Sequence, residues 1–251
     1  MPPITSDALV LRTYKLGESS KVVVLLTRER GKVRAVAKGA RGARSRYQSS
    51  LEPLSEVRVG LYGRQGAELL RLGECELIRS AFLVGGQEPD RRLALSYYAE
   101  LLDAFAQEGE VEDAVYRLAL AVLRAAEEGT SSMVLARYLE AWLLRLHGLY
   151  PPLDRCSSCA GALPQGDLRY HRVSHGFVCR TCEPASGPTL STDARRGLER
   201  ILRDPPAAMA CESPAGTAEL EGFHHDLIAA HLERELRSYR VLRDVARGAA
   251  G

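Results

Sequence analysis

Between Asp7 and about Leu77 the apolar positions recur every second residue, in short runs broken by glycine and charge. Ala8 to Tyr14, Lys21 to Thr27, Gly31 to Lys38, Glu56 to Tyr62 and Glu68 to Leu77 read as five strands. Nothing between them is long enough for the helix of a parallel crossover, so the pattern predicts a small antiparallel barrel, and the OB-fold is the five-stranded candidate. In the third strand Val33, Ala35 and Ala37 share one face while Lys32, Arg34, Val36 and Lys38 share the other. A slip of one residue would exchange the faces but leave the three cations together.

From Asp90 the period lengthens to that of a helix. Leu93, Tyr97, Leu101 and Phe105, with Tyr98 and Leu102 beside them, form a stripe behind an Asp90 cap, and Val111, Val115, Leu118 and Val122 form a second. Ser132 to His147 forms a third, with Leu135, Leu139, Trp142 and Leu146 on one side and Gly148 placed to end it. Pro151 and Pro152 stop this helix. Ser191 to Arg203 reads as a short helix carrying Arg195 and Arg196 in its first turns, where cations oppose the helix dipole; phosphate contact and plain solvation both account for that. Beyond Pro205 and Pro206, Thr217 to Arg247 reads as one final helix, with Leu220, Phe223, Leu227, His231, Leu236 and Tyr239 on its stripe. Core packing is the expectation for the aromatic residues on all these faces.

Cys156 and Cys159 form one CxxC pair and Cys179 and Cys182 another, with nineteen residues between the pairs. Two disulfides or four unrelated thiols are the alternatives, but paired CxxC spacing is that of a zinc ribbon, in which four thiolates close a tetrahedral site around one structural Zn2+. Leu168 to Val173 and Gly176 to Cys179 read as the hairpin that returns the second pair to the first, and Gly161 is expected to need a positive φ. With four cysteines sufficient, His171 and His175 are read as hairpin residues, and His224, His225 and His231 as packed or solvated. Cys75 and Cys211 read as isolated, partly buried thiols. The predicted class is therefore α+β: a five-stranded OB-fold barrel over residues 1–80, a helical domain over 81–147 and 190–251, and a four-cysteine zinc-ribbon module inserted at 148–189.

An apolar fraction of 45% with 26% charged residues is ordinary for a globular chain. The start lacks a basic segment followed by an apolar one, and no run approaches eighteen apolar residues, so neither secretion nor a membrane is expected, and thiols suit a reducing cytoplasm. The net charge of +2 hides an asymmetry: residues 1–80 hold 15 Lys and Arg against 8 Asp and Glu, while the remainder is acidic. From Arg28 to Arg46 eight basic residues face one acid, Glu29, and the segment Gly39 to Tyr47 is rich in glycine. Lys32, Arg34, Lys38, Arg41, Arg44 and Arg46 are candidates to neutralise phosphates, with Tyr47 to stack on a base and Arg195 and Arg196 as an extension. A loop kept polar for solubility is the competing reading. No Walker loop, GxSxG elbow, HExxH or fixed-period repeat occurs.

The order of these parts resembles the bacterial recombination mediator RecO family. The resemblance rests on Ala8 to Leu11, Thr27 before the Gly31 turn, Lys38-Gly-Ala-Arg41 leading to Ser45-Arg46, and Ala141-Trp-Leu-Leu-Arg-Leu-His-Gly148 running through Pro152 to Cys156. It implies a cytoplasmic, nucleoid-associated accessory protein of the RecF pathway, with no catalytic residue and no membrane. Such a protein would bind single- and double-stranded DNA, anneal complementary strands and, with RecR, help load RecA onto DNA coated with single-strand-binding protein. Two other classes compete. Pro2 as an N-terminal secondary amine combined with a late zinc finger suits a DNA glycosylase/lyase, although here Pro3 stands where that family has an acid and 69 residues follow the finger. An RNA-binding zinc-ribbon protein fits the composition but not the helical middle.

Overall fold

Strands β1 (Ile4–Leu16), β2 (Ser20–Thr27), β3 (Gly31–Ala37), β4 (Glu56–Tyr62) and β5 (Leu70–Arg79) form a closed, OB-like barrel in the computed structural model. The structure describes residues 3–42, 45–64, 66–82, 88–182, 187–211 and 214–248. The strands pair in the order β1-β2-β3-β5-β4, β1 returns to β4, and only β3 and β5 run parallel, through Ala35 with Leu70 and Val36 with Arg71. Alternation sends Ala8, Val10, Val23, Leu25, Val59, Leu61 and Leu72 inward, where they are buried. A bulge between Val10 and Arg12 shifts the phase of β1, so that Thr13, not Arg12, continues the inward series opposite Val23.

Leu9, Leu11, Val24 and Leu26 on the outer face are buried as well, which is why β1 and β2 read as nearly unbroken apolar runs. Helix α1 (Pro89–Phe105) packs against β1, and its Asp103 holds Arg12 at 3.1 Å and Lys32 at 3.5 Å. The tight turn into β3 needs a glycine: Gly31 has φ +62°, and a Cβ there would overlap the carbonyl of Glu110. The chain after α1 lies along the first half of β3, where the Gly109 N–H donates to the Lys32 carbonyl at 2.9 Å.

Helices α2 (Asp113–Glu127), α3 (Ser132–Leu146), α4 (Thr192–Arg203), α5 (Pro214–Leu232) and α6 (Arg237–Gly248) follow. Two expectations are corrected. Asp90 lies inside the first turn of α1, with Pro89 at its first position and Glu88 at the cap. The single helix expected from Thr217 to Arg247 is two, broken at Glu233, whose φ is +54°. The second begins where the Glu100 carboxylate of α1 accepts from the Arg237 and Ser238 N–H groups at 3.1 and 2.8 Å, a cap supplied from another helix.

The chain divides into two compact units, Met1–Leu123 with Leu236–Gly251, and Arg124–Glu235. In the second, α3 and α5 share a buried polar chain that no periodicity announces. Arg137 and Glu140 on α3 are each 1% exposed and paired at 2.7 Å, and Arg137 also reaches Glu221 at 3.6 Å. His224 on α5 contacts Glu140 at 3.0 Å through Nδ1 and the Tyr150 hydroxyl at 2.9 Å through Nε2. A carboxylate only accepts, so Nδ1 carries the hydrogen and Nε2 accepts from Tyr150. Burial holds His224 below its ordinary value of 6.5, against the pull of Glu140 in the other direction.

A histidine kept neutral in the fold but charged when unfolded contributes stability fully above 6.5, lost as pH falls towards its folded value. Melting temperature is therefore expected to drop over the interval below pH 6.5, with His224 contributing up to about 1.4 kcal/mol per pH unit. A His224→Gln variant melting lower at pH 8 but less steeply across that interval is the expected outcome; an unchanged slope assigns the acid sensitivity elsewhere.

Candidate functional site

The four cysteines converge. Their Sγ atoms all lie within 4.8 Å of one another, and those of Cys159 and Cys179 are 3.7 Å apart, near the edge of about 3.8 Å that a tetrahedron with 2.3 Å metal–sulfur bonds requires and far beyond a disulfide. Burial opposes ionisation of Cys156, but the N–H groups of Cys179, Cys159 and Ser158 outweigh it and bring the thiol down to about 6. Hydrogen bonds to the sulfurs of Cys159 and Cys179 push Cys182 up to about 12, so Cys182 keeps its proton unless a cation replaces it. The donor set fits a metal ion bound by sulfur alone. Neither His171, which pairs with Ser174 at 2.9 Å, nor His175 belongs to the cluster.

Local geometry explains the convergence. β6 (Leu168–His171) and β7 (Gly176–Val178) form the hairpin, His175 turns it with φ +48°, and β8 (Thr189–Leu190) adds a third strand beside β6. A Cβ on Gly176 would overlap the Ser157 side chain, so this glycine lets the hairpin lie against the first knuckle. The positive φ of that knuckle falls on Ala160, at +60°, and not on Gly161. Phe223 of α5 docks the module, with ring centroids 5.2 Å from Tyr170, 5.4 Å from Phe177 and 6.0 Å from Tyr150. Cys75, apart from the cluster, is pushed up to about 11 by burial and reads as an inert thiol.

The basic run is divided by the fold. Lys38, Arg41 and Arg46 are exposed. Arg41 ties the loop to the β1–β2 turn, its N–H donating to the Ser19 carbonyl at 3.0 Å and its guanidinium to that of Gly17 at 2.8 Å. Arg34 is exposed but paired with Glu108. Lys32 is 12% exposed, held by Asp103 and donating to the Asp103 carbonyl at 2.6 Å, which corrects its reading as a phosphate contact. Tyr47 is corrected too: it is 1% exposed, part of the barrel core, with its hydroxyl donating to the Leu72 carbonyl at 3.0 Å. Arg46 stacks on its ring, the guanidinium carbon 5.0 Å from the centroid. Arg44, Pro2 and the side chain of Cys211 lie outside the described residues.

Arg195 is neither a phosphate contact nor a solvated side chain. It is 11% exposed and donates to the carbonyls of Pro164 at 2.6 Å and Leu153 at 3.1 Å, clamping the loop that carries the first cysteines to α4. Arg196 is exposed beside Asp193. A groove of about 530 Å3 beside β3 mixes Arg30, Arg34 and Arg64 with Glu29, Glu68 and Glu108, so its charge is nearly balanced. No helix among the described residues is long and apolar enough to cross a membrane.

Comparison with known proteins places the chain. Residues 1–81 match the family model "Recombination protein O N terminal", and residues 86–240 match "Recombination protein O C terminal". Proteins named DNA repair protein RecO are similar along nearly the whole length. That of Koribacter versatilis is 34% identical over 244 residues, 94% of this chain and 97% of the relative. That of Anaeromyxobacter sp. strain K is 32% identical over 250 residues, 98% of each chain. That of Pelotomaculum thermopropionicum is 32% identical over 250 residues, 98% of this chain and 96% of the relative.

Two variants test the placement of Tyr47. Tyr47→Phe removes one buried hydrogen bond and is expected to cost about 1 kcal/mol of unfolding free energy, whereas Tyr47→Ala empties a core site and costs about 3–5 kcal/mol. Equal, near-zero effects in urea titrations would put the ring on the surface.

Proposed function

Since the chain belongs to the RecO family of DNA repair and recombination proteins, we propose that it works as a mediator without catalytic chemistry. In this reading it binds single- and double-stranded DNA, anneals complementary strands and, with RecR, helps load RecA onto DNA covered by single-strand-binding protein. The observation that carries it is the match of both family models across the barrel and the helical part alike. The site chemistry agrees with it. Exposed Lys38, Arg41 and Arg46, with Arg44 in the same run, offer charge to a polyanion, and screening two strands at once raises their encounter rate.

Residues 1–80 serve as the DNA-binding part, 148–189 as a metal-held module, and 81–147 with 190–251 as helical support. The metal is one structural zinc on Cys156, Cys159, Cys179 and Cys182. Four sulfurs leave no open position, so its contribution is to hold the hairpin against α5. Localisation in the cytoplasm with the nucleoid follows from the same reading.

Elemental analysis of protein purified without chelator should find about one zinc per chain, and Cys159→Ser should abolish it and lower the melting temperature. Single-strand affinity should fall with salt at a log–log slope of roughly −3 for about four phosphates, and Arg41→Glu should make the slope shallower by about 0.7 or more. The decisive assay mixes complementary strands coated with single-strand-binding protein and follows duplex formation without nucleotide, then RecA filament assembly with and without RecR. Acceleration of both is expected; acceleration of neither, in buffer where DNA binds, rejects the mediator reading.

A further inference from the structure

With Tyr47 in the core, the basic loop has lost the aromatic ring that would read the bases of a single strand. The barrel offers others. Strand register places Tyr14 opposite Val22, Val22 opposite Val36, Val36 beside Arg71, and Arg71 opposite Tyr62, a single row crossing all five strands. Directly paired residues share a face, and neighbours of this row, such as Ala35, Leu70, Leu61 and Leu72, are in the core, so the row lies on the outer face, with Tyr14 and Arg71 exposed, Val36 and Tyr62 half-buried and Val22 buried between them. At about 4.8 Å per strand it runs roughly 19 Å round the barrel.

Both ends of the row carry a tyrosine with a guanidinium on its ring. Arg71 lies 4.7 Å over Tyr62, and Arg12 lies 5.8 Å over Tyr14. The Tyr62 ring lies close to Gly73 of β5, where any Cβ would overlap it, so the bare backbone at Gly73 makes room for the ring beside exposed Arg71. Tyr14 is 42% exposed, so its ring is accessible from solvent. Neither hydroxyl makes a hydrogen bond among the described residues, so neither ring is held in place as a polar anchor.

Charge gives the row two unlike sides. On one, Arg12 and Arg34 are already neutralised by Asp103 and Glu108. On the other, Lys38 follows Val36 on the same face of the chain, with no acidic partner among the described residues, and Arg41 is fixed to the adjacent β1–β2 turn. From this geometry we infer that the outer row of Tyr14, Val36, Arg71 and Tyr62 is a base-stacking platform for single-stranded DNA, with the phosphates on the Lys38 and Arg41 side. The inference deepens the DNA-binding reading and rests on it. Bases stack on tyrosine faces and on guanidinium planes alike, and a sheet face bearing aromatic residues takes two or three bases. Such contact is indifferent to sequence, as an annealing protein requires.

The test separates bases from phosphates. Affinity is measured for a fluorescent oligothymidylate and for an oligomer of equal length whose residues are abasic, at one salt concentration. The wild-type protein should prefer the oligothymidylate. Tyr14→Ala should weaken it about tenfold while leaving the abasic oligomer and the salt slope unchanged, and Tyr14→Phe should restore it. Tyr62→Leu should act likewise; because that ring also packs on the sheet, photocrosslinking of iodouracil-substituted DNA to the wild-type protein provides an independent readout, with adducts at Tyr14 or Tyr62. Equal affinity for the two oligomers, or unchanged oligothymidylate binding by Tyr14→Ala with crosslinks elsewhere, overturns the platform and leaves the DNA-binding reading standing. Binding of neither oligomer by the wild-type protein overturns both.

Discussion

Closing five strands into a barrel commits every residue to one of two sides, and the site follows from that constraint. Once Ala35 and Leu70 face the core, Arg34, Val36 and Arg71 must face out. The bulge in β1 is part of the same requirement: without one extra residue after Val10, the phase would carry Arg12 inward, where a guanidinium would lose its water. Gly31 completes the closure from the side, because only a residue without Cβ admits the Glu110 carbonyl next to the β2–β3 turn.

The second unit is held by polar chemistry that carries a cost if any member is lost. Arg137, Glu140, His224 and Tyr150 form a continuous buried chain, and such a chain stabilises only when each donor meets an acceptor. Removing Arg137 or Glu140 leaves the other charge buried without its partner, which typically costs about 3–5 kcal/mol. The cysteine cluster obeys the same logic. Its four sulfurs lie close enough together to hold one cation, and Phe223 anchors their hairpin to the helix that also carries His224.

A basic run in sequence is not a basic surface. Of the cations proposed for phosphate contact, Lys32 is drawn to Asp103, 71 residues away, and Arg195 to carbonyls between 29 and 42 residues away. Those partners are invisible to any local window. Lys38, Arg41 and Arg46 remain exposed, as do Arg34 and Arg196 in ion pairs, and backbone contacts to Ser19 and Gly17 position Arg41.

Local patterns therefore determined the elements. Period-two alternation located five strands, including β4 at its observed limits, helical periodicity located α1, α3 and α4 to within a residue or two, and CxxC spacing located the four-cysteine cluster, because each signal lies within a short stretch of chain. Tertiary structure decided which polar side chains are free. Tyr47 looked like a surface aromatic in a glycine-rich loop, yet the carbonyl that receives its hydroxyl belongs to Leu72, 25 residues on. Tyr14 and Tyr62 looked like ordinary strand residues, and only barrel closure sets them in one row. The break at Glu233 was equally hidden, since the cap that starts α6 comes from Glu100, more than 130 residues earlier. The physical reason is the same in each case: alternation and spacing are carried by the backbone's own geometry, whereas the fate of a charge or a ring depends on which distant group the fold brings to it.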